Sequence, residues 1–327
     1  MDEQQKKPGR KRRIFLKILV VLLVLTGIIT AGLYMYTKSL LGHVERQELD
    51  HQDLGIQTEQ PEKEQGITNI LLFGVDSRDM NKTTGRSDAI LILTADRTHH
   101  TVKLTSLARD SYVAVDGHGK TKLTHAFVYG GPQLAVKTVN QNFDMDIQDF
   151  VSVNFGQLAS IIDLIGGVTL DVSEAERKVM NNYIAEHNHL GIPTEPVAQA
   201  GKQLLTGSQA VAYARNRYTG TDMNRMERQR EVLYAMAEAA MDVDIKDYPE
   251  LLRTVLSQCV TSLTDDEIMS LAMWAGTSKP TLQQYALPDE NCAPHGEMID
   301  GVWYSVYNLD KAAEMLHDFI DEEQADE

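Results

Sequence analysis

The chain has 327 residues, 43% of them hydrophobic, and a formal net charge of -16. That is ample apolar content for one large domain or two small ones. The first seventeen residues carry seven Lys/Arg against Asp2 and Glu3, leaving -21 for the remainder, and so acidic a body argues against nucleic acid as the main partner.

Residues 18–36 form an uncharged stretch long enough to cross a bilayer, with Tyr34 and Tyr36 at its far end. The basic flank precedes it, so residues 1–13 are expected in the cytoplasm and everything after the span outside the cell. A cleaved signal peptide is the rival reading, but its apolar region would be shorter and no A-x-A site follows. The expected organisation is a basic tail (1–13), one transmembrane anchor (14–36), a polar stalk (37–65) and a single folded body (66–327). Cys259 and Cys292 then lie where a disulfide is permitted, yet their spacing serves two buried thiols equally well.

The body opens with the apolar run Ile70–Val75, which ends on Asp76. A polar loop with Arg78 and Arg86 leads to Asp88, and Ala89–Thr94 is a second such run. After a turn, Thr101–Leu107 alternates as a third strand and ends at Ala108-Arg109-Asp110. If the three are sequential antiparallel neighbours, the default for short connections, Asp76, Asp88 and Arg109 share one edge of the sheet. Two converging carboxylates suit a hard cation such as Mg²⁺, although either aspartate alone reads as an ordinary strand-end residue.

Gly130-Gly131-Pro132 reads as a turn before a helix over 133–142. A strand at 150–155, a helix at 157–165 closed by Gly166-Gly167, a strand at 168–172 and a helix at 173–189 follow. Ala210–Ala214 is expected as an extended entry, so that Arg215 and Arg217 point to one side. Asp222 has the character of an N-cap for a helix over 223–241, on which Arg225, Arg228 and Gln229 share a face. Guanidinium groups near a helix start cradle phosphate oxygens well; a solvated helix laced by Glu227 and Glu231 is the plainer reading of the same segment. Helices are expected at 245–263, 265–276 and 310–320, with a strand at 281–287. Interleaved elements with some antiparallel strands predict an α/β fold: a mixed sheet covered by helices in three α-β-α layers, after one N-terminal transmembrane helix.

Nucleotide-binding P-loop, dinucleotide, G-x-S-x-G and H-E-x-x-H patterns are all absent, and the ten histidines, His125 included, show no ligand spacing and read as surface or core residues. What is present, in order, is NILLFGVDSR (69–78), GRSDAILIL (85–93), SLARD (106–110), KLTHAFVYGG (122–131), GKQLLTGSQAVAYARNRYTGTD (201–222) and RMERQ (225–229). Together with the apolar N-terminal stretch these segments resemble the LytR-CpsA-Psr family of membrane-anchored wall enzymes. Ala108 stands where that family usually has proline, and Asn224 where it often has glycine.

The resemblance implies a phosphotransferase that moves a glycopolymer, teichoic acid or capsule-like, from undecaprenyl pyrophosphate to peptidoglycan outside the cell. By motif, Asp76 and Asp88 would hold Mg²⁺ (or Mn²⁺), and Asp76 and Arg109 would be catalytic. Arg86, Arg109, Arg215 and Arg217 would grip the pyrophosphate, Arg225 and Gln229 would line the head-group site, and Asp222 would orient the arginines. A polyprenyl-pyrophosphate phosphatase, and a non-catalytic lipid-carrier binder regulating wall assembly, are the alternatives.

Overall fold

A computed structural model describes residues 45–56, 66–76, 85–189, 193–220, 222–241 and 248–322. The expected cytoplasmic tail, the membrane span and the start of the stalk lie outside the described residues. Among the described residues no helix is long and apolar enough to cross a membrane.

The body is built on one mixed sheet. In chain order its strands are β1 (Glu45–Arg46), β2 (Ile67–Asp76), β3 (Arg86–Asp96), β4 (Thr101–Leu107), β7 (Asp149–Asn154), β10 (Val260–Thr261) and β11 (Thr281–Leu287). In space they run β1-β10-β7-β2-β3-β4-β11. The pairs β2–β3 and β3–β4 are antiparallel, as short connections favour, whereas β7 lies parallel to β2 and β11 parallel to β4. Three two-stranded additions complete the strands: β5 (Tyr112–Val115) with β6 (Gly119–Lys122), β8 (Val168–Val172) with β9 (Gly201–Leu205), and β12 (His295–Ile299) with β13 (Val302–Val306).

Central strands are apolar on both sides because both sheet faces are covered. Leu71, Phe73, Val75, Ile90 and Ile92 belong to the main core, which is closed by α1 (Leu123–Phe143) and α8 (Leu309–Asp321). Phe73 anchors it, its ring centroid 4.8 Å from that of Phe127 and 6.3 Å from that of Phe150. Ile70 and Leu91, of the opposite parity, are also buried but outside that cluster. A second core gathers β8 and β9 with α2 (Phe155–Leu164), α3 (Glu174–His189), α4 (Gly207–Ala214) and α5 (Asp222–Met241). Two further helices, α6 (Tyr248–Leu256) and α7 (Asp265–Ser278), flank the short strand β10.

Several sequence expectations need correction. Residues 210–214 are not extended: they are the body of α4, opened by a capping box in which the Gln209 N–H donates to Thr206 Oγ1 and the Thr206 N–H donates to Gln209 Oε1. Four alanine and valine positions behind such a cap make a helix. Gly130-Gly131 is a kink inside α1 rather than a turn before it, with Gly131 at φ 61°, ψ -155°, a conformation open to glycine. The long helix expected over 245–263 ends at Leu256, and Val260–Thr261 joins the sheet as β10. Part of the expected stalk is folded onto the body: β1 pairs with β10, Leu49 and Leu54 enter the main core, and Gln133 bonds the backbone of Asp50 and Asp53. Cys259 and Cys292 are separate buried thiols, and burial pushes the Cys259 thiol up to about 12.

Candidate active site

The register of three strands builds one edge of the sheet into a charged cavity. Asp76 pairs with Arg86 across the β2–β3 ladder, just beyond an irregularity at Gly74/Val75, and Asp88 follows two residues on. Strand β4 runs back to the same edge and hands the chain to Arg109 and Asp110. The β5–β6 hairpin then returns it to α1, whose first turn is fastened there. Thr124 N–H donates to the Arg109 carbonyl (2.9 Å) and Thr124 Oγ1 to the Ser87 carbonyl (2.9 Å). The resulting cavity, about 200 Å³, is lined by Asp76, Arg86, Asp88, Arg109, Asp110, Lys122, Thr124, His125 and Arg217.

Asp88 is the centre of this charge. Its side chain is 5% exposed; Arg109 Nη1 donates to Oδ1 at 2.6 Å, and Arg217 Nη2 donates to Oδ2. Arg225 Nη2 lies 3.3 Å from Oδ2 and donates to the Asp88 carbonyl at 3.1 Å. Burial alone would raise its pKa, but Arg225, Arg109 and Arg217 outweigh that and hold the carboxyl below its ordinary range. Asp110 does similar work nearby, accepting from Lys122 Nζ at 2.7 Å with Arg109 Nε at 3.5 Å.

Arg217 reaches Asp88 from a loop that is itself braced. Arg228 Nη2 donates to the carbonyls of Asn216 (2.8 Å) and Thr219 (3.0 Å), while its Nη1 meets Glu176 at 3.3 Å. Fully buried Asn216 turns the loop by accepting from the Tyr218 and Thr219 backbone N–H groups. Arg228, which the sequence leaves undecided, is therefore a positioning residue for Arg217.

The structure brings Asp76, Asp88, Arg86, Arg109 and Arg217 into one wall, with Arg225 behind it on Asp88. Gln229 is buried one turn further along α5, and its Nε2 finds no hydrogen-bond partner among the described residues. Arg215 goes elsewhere: its guanidinium sits 4.9 Å from the Phe155 ring centroid and 5.7 Å from that of Tyr183, off the cavity wall. The helix begins at Asp222, whose side chain lies outside the described residues. Sequence spacing missed Asp110, Lys122 and His125, although all three lie within or beside motif segments. Nothing in a linear pattern says that the β5–β6 hairpin folds 122–125 back onto 109–110.

A divalent cation fits this donor set. Both carboxylates reach the same cavity, and Asp88 stays ionised. Mg²⁺ commonly takes one or two carboxylates and completes its shell with water and substrate phosphate. Among the described residues no group of three His, Cys, Asp or Glu is close enough to hold a metal ion, so these side chains alone offer no closed cage.

Comparison with known proteins agrees with the architecture and extends over most of the chain. Teichoic acid transferase TagT of Bacillus subtilis (strain 168), named a polyisoprenyl-teichoic acid–peptidoglycan teichoic acid transferase, is 28% identical over 327 residues, covering 96% of this chain and 97% of its own. TagU of Oceanobacillus iheyensis, of the same named activity, is 31% identical over 258 residues, covering 75% of this chain and 72% of its own. A solved structure of TagT with bound octaprenyl pyrophosphate lipid superposes with a TM-score of 0.62 at 25% identity, covering 84% of this chain and 100% of that one. The LytR_cpsA_psr family model matches residues 31–320, and the chain belongs to that family.

Proposed function

We propose that this protein transfers a glycopolymer of the teichoic acid or capsule class from undecaprenyl pyrophosphate to peptidoglycan, on the outer side of a membrane in which its N-terminal segment is anchored. The observation that carries the reading is the cavity wall itself: Asp76 and Asp88 stand among Arg86, Arg109 and Arg217. Phosphoryl transfer asks a protein mainly to position the reactants and neutralise charge on the transferring group. Relatives named for this transfer, and one solved with a polyprenyl pyrophosphate, support the same chemistry.

In this reading Arg86, Arg109 and Arg217 bind the diphosphate oxygens, and Arg225 keeps Asp88 in place from behind. Asp76 and Asp88 would hold Mg²⁺, or Mn²⁺, which would supply Lewis-acid neutralisation of the diphosphate. An acceptor hydroxyl of a peptidoglycan sugar attacks the glycan-side phosphorus, and carrier phosphate leaves.

The test is full-length protein in detergent, given Mg²⁺, a lipid-pyrophosphate glycan and a peptidoglycan oligomer. Glycan joined covalently to the oligomer is the expected result. Phosphate release without attachment would identify a phosphatase, and carrier binding without turnover a regulator; either overturns the proposal. Arg109→Ala and Asp76→Ala should each lower kcat/KM by roughly 10²–10³-fold with the circular dichroism spectrum unchanged.

A further inference from the structure

The charged wall accounts for the donor, but the acceptor hydroxyl must lose a proton. The carboxylates are poorly placed for that work. Both oxygens of Asp88 are engaged by arginines, and Asp76 is assigned to the cation. One lining residue remains whose ordinary chemistry is proton transfer near neutral pH, and that is His125.

His125 sits in the first turn of α1. Its Nδ1 lies 2.8 Å from Thr121 Oγ1, at the end of β6, and Thr121 is itself 9% exposed. The Tyr129 ring, one turn further along α1, lies 5.8 Å from the imidazole centroid in a tilted pair. In the tautomer whose Nδ1–H donates to Thr121 Oγ1, Nε2 carries the lone pair, and no described group hydrogen-bonds it. A base held by a third group, on a residue that lines the cavity, is the arrangement that general-base catalysis requires.

We propose that Nε2 of His125 accepts the proton of the acceptor hydroxyl during transfer, with Thr121 positioning the ring. This inference rests on the transferase reading above. As the hydroxyl oxygen bonds to the glycan-side phosphorus, its proton moves to Nε2. The bond from that phosphorus to the bridging oxygen breaks, and the electron pair departs with the carrier monophosphate. The imidazolium then gives its proton to that phosphate or to water, which restores the neutral ring.

The surroundings favour a ring that is neutral before reaction. Burial lowers the His125 pKa, and Lys122 and Arg86 lower it further, while Asp110 opposes them. Asp76, Asp88, Arg109 and Arg217 face the ring across the same cavity. A bound diphosphate raises the pKa again, so the imidazolium is stabilised only with donor in place.

The experiment compares full-length wild type, His125→Gln, His125→Ala, Thr121→Val and Thr121→Ser in the transfer assay across pH, alongside carrier binding and thermal melting. Wild-type kcat should fall on the acid side with a single ionisation. His125→Gln should lower kcat by about 10²–10⁴-fold, abolish that acid limb and leave carrier binding within a few-fold. Added imidazole should restore part of the His125→Ala rate, and Thr121→Val should lose more than Thr121→Ser. A His125→Gln enzyme that keeps its kcat or its acid limb overturns the assignment, as does an imidazole-insensitive His125→Ala enzyme that melts normally. A wild type that binds carrier but never attaches glycan would instead sink the transferase reading, and this inference with it.

Discussion

Asp88 carries a prediction with two separate signatures. Its carboxylate is shared by three arginines, but unequally: Arg225 is 3% exposed, Arg109 21% and Arg217 48%. The half-exposed Arg217 contact contributes at most about 1 kcal/mol, whereas removing one partner of a buried pair costs about 3–5 kcal/mol. Asp88→Asn keeps the volume and one acceptor oxygen and loses the charge, so the Arg225 and Arg109 contacts set the magnitude. At roughly 2–4 °C per kcal/mol, Tm at neutral pH should drop by roughly 6–20 °C. The second signature is pH. The carboxyl is held below its ordinary, unfolded-state value in the folded protein. The stability it contributes is therefore fully present above that value and is lost as pH falls through the lower, folded-state pKa. Differential scanning calorimetry from pH 7 to pH 3 should show the gap between wild type and variant constant down to the unfolded pKa and shrinking below it. An equal gap at pH 3 and pH 7, or none at either, would show that Asp88 is not the counter-ion of this cluster.

Other parts of the site give independent checks. Chelation by EDTA should abolish transfer, with activity restored by Mg²⁺ or Mn²⁺ and the far-ultraviolet circular dichroism spectrum unaltered throughout. Arg217→Ala should raise the KM for lipid carrier about 10–100-fold, as expected for one lost charge-assisted bond, and shift Tm little. Arg215→Ala should do the reverse, costing about 0.5–2 kcal/mol of stability from its stacking on Phe155 and Tyr183 and leaving KM within a few-fold. Gly207→Ala should destabilise by about 3 kcal/mol or more in urea titration, because an added Cβ would stand 1.9 Å from the Ala159 carbonyl oxygen and force α4 off α2.

How far the sequence led can be followed residue by residue. The run to Asp76, the restart at Asp88 and the return to Arg109 were legible because short connections leave few ways to arrange three buried strands. Ala210–Ala214 misled because four small apolar residues and Tyr213 fit either period, and the Thr206–Gln209 cap that decides for helix lies just upstream. Asp300-Gly301, with φ of 51° and 78°, is a hairpin signal that a tighter reading would have used to find β12 and β13. By contrast, no local rule would have placed Leu49 and Leu54 in the main core, since that core is assembled from the sheet, α1 and α8, far along the chain. His125 escaped for a different reason. A lone histidine at a helix start has no spacing to read, and its significance comes from a hairpin that folds one motif onto another.

The charge balance of the wall explains why carboxylates and guanidinium groups occur together where an anion must bind. Among its described residues, four cations (Arg86, Arg109, Lys122 and Arg217) face three carboxylates (Asp76, Asp88 and Asp110), one positive charge in excess. A diphosphate diester carries about two negative charges, so the wall alone under-compensates it, and the acidic body repels it further. Swapping the aspartates for neutral residues would mend the balance on paper. It would also remove the anion that holds Arg109, Arg217 and Arg225 at fixed distances before substrate arrives. A divalent cation on Asp76 and Asp88 would supply the missing charge without dissolving that network, and pre-organised charge is what lowers a phosphoryl-transfer barrier. Asp88 in particular holds the arginines while it would also serve the cation, and for that reason Asp88→Asn should forfeit folding stability and turnover together.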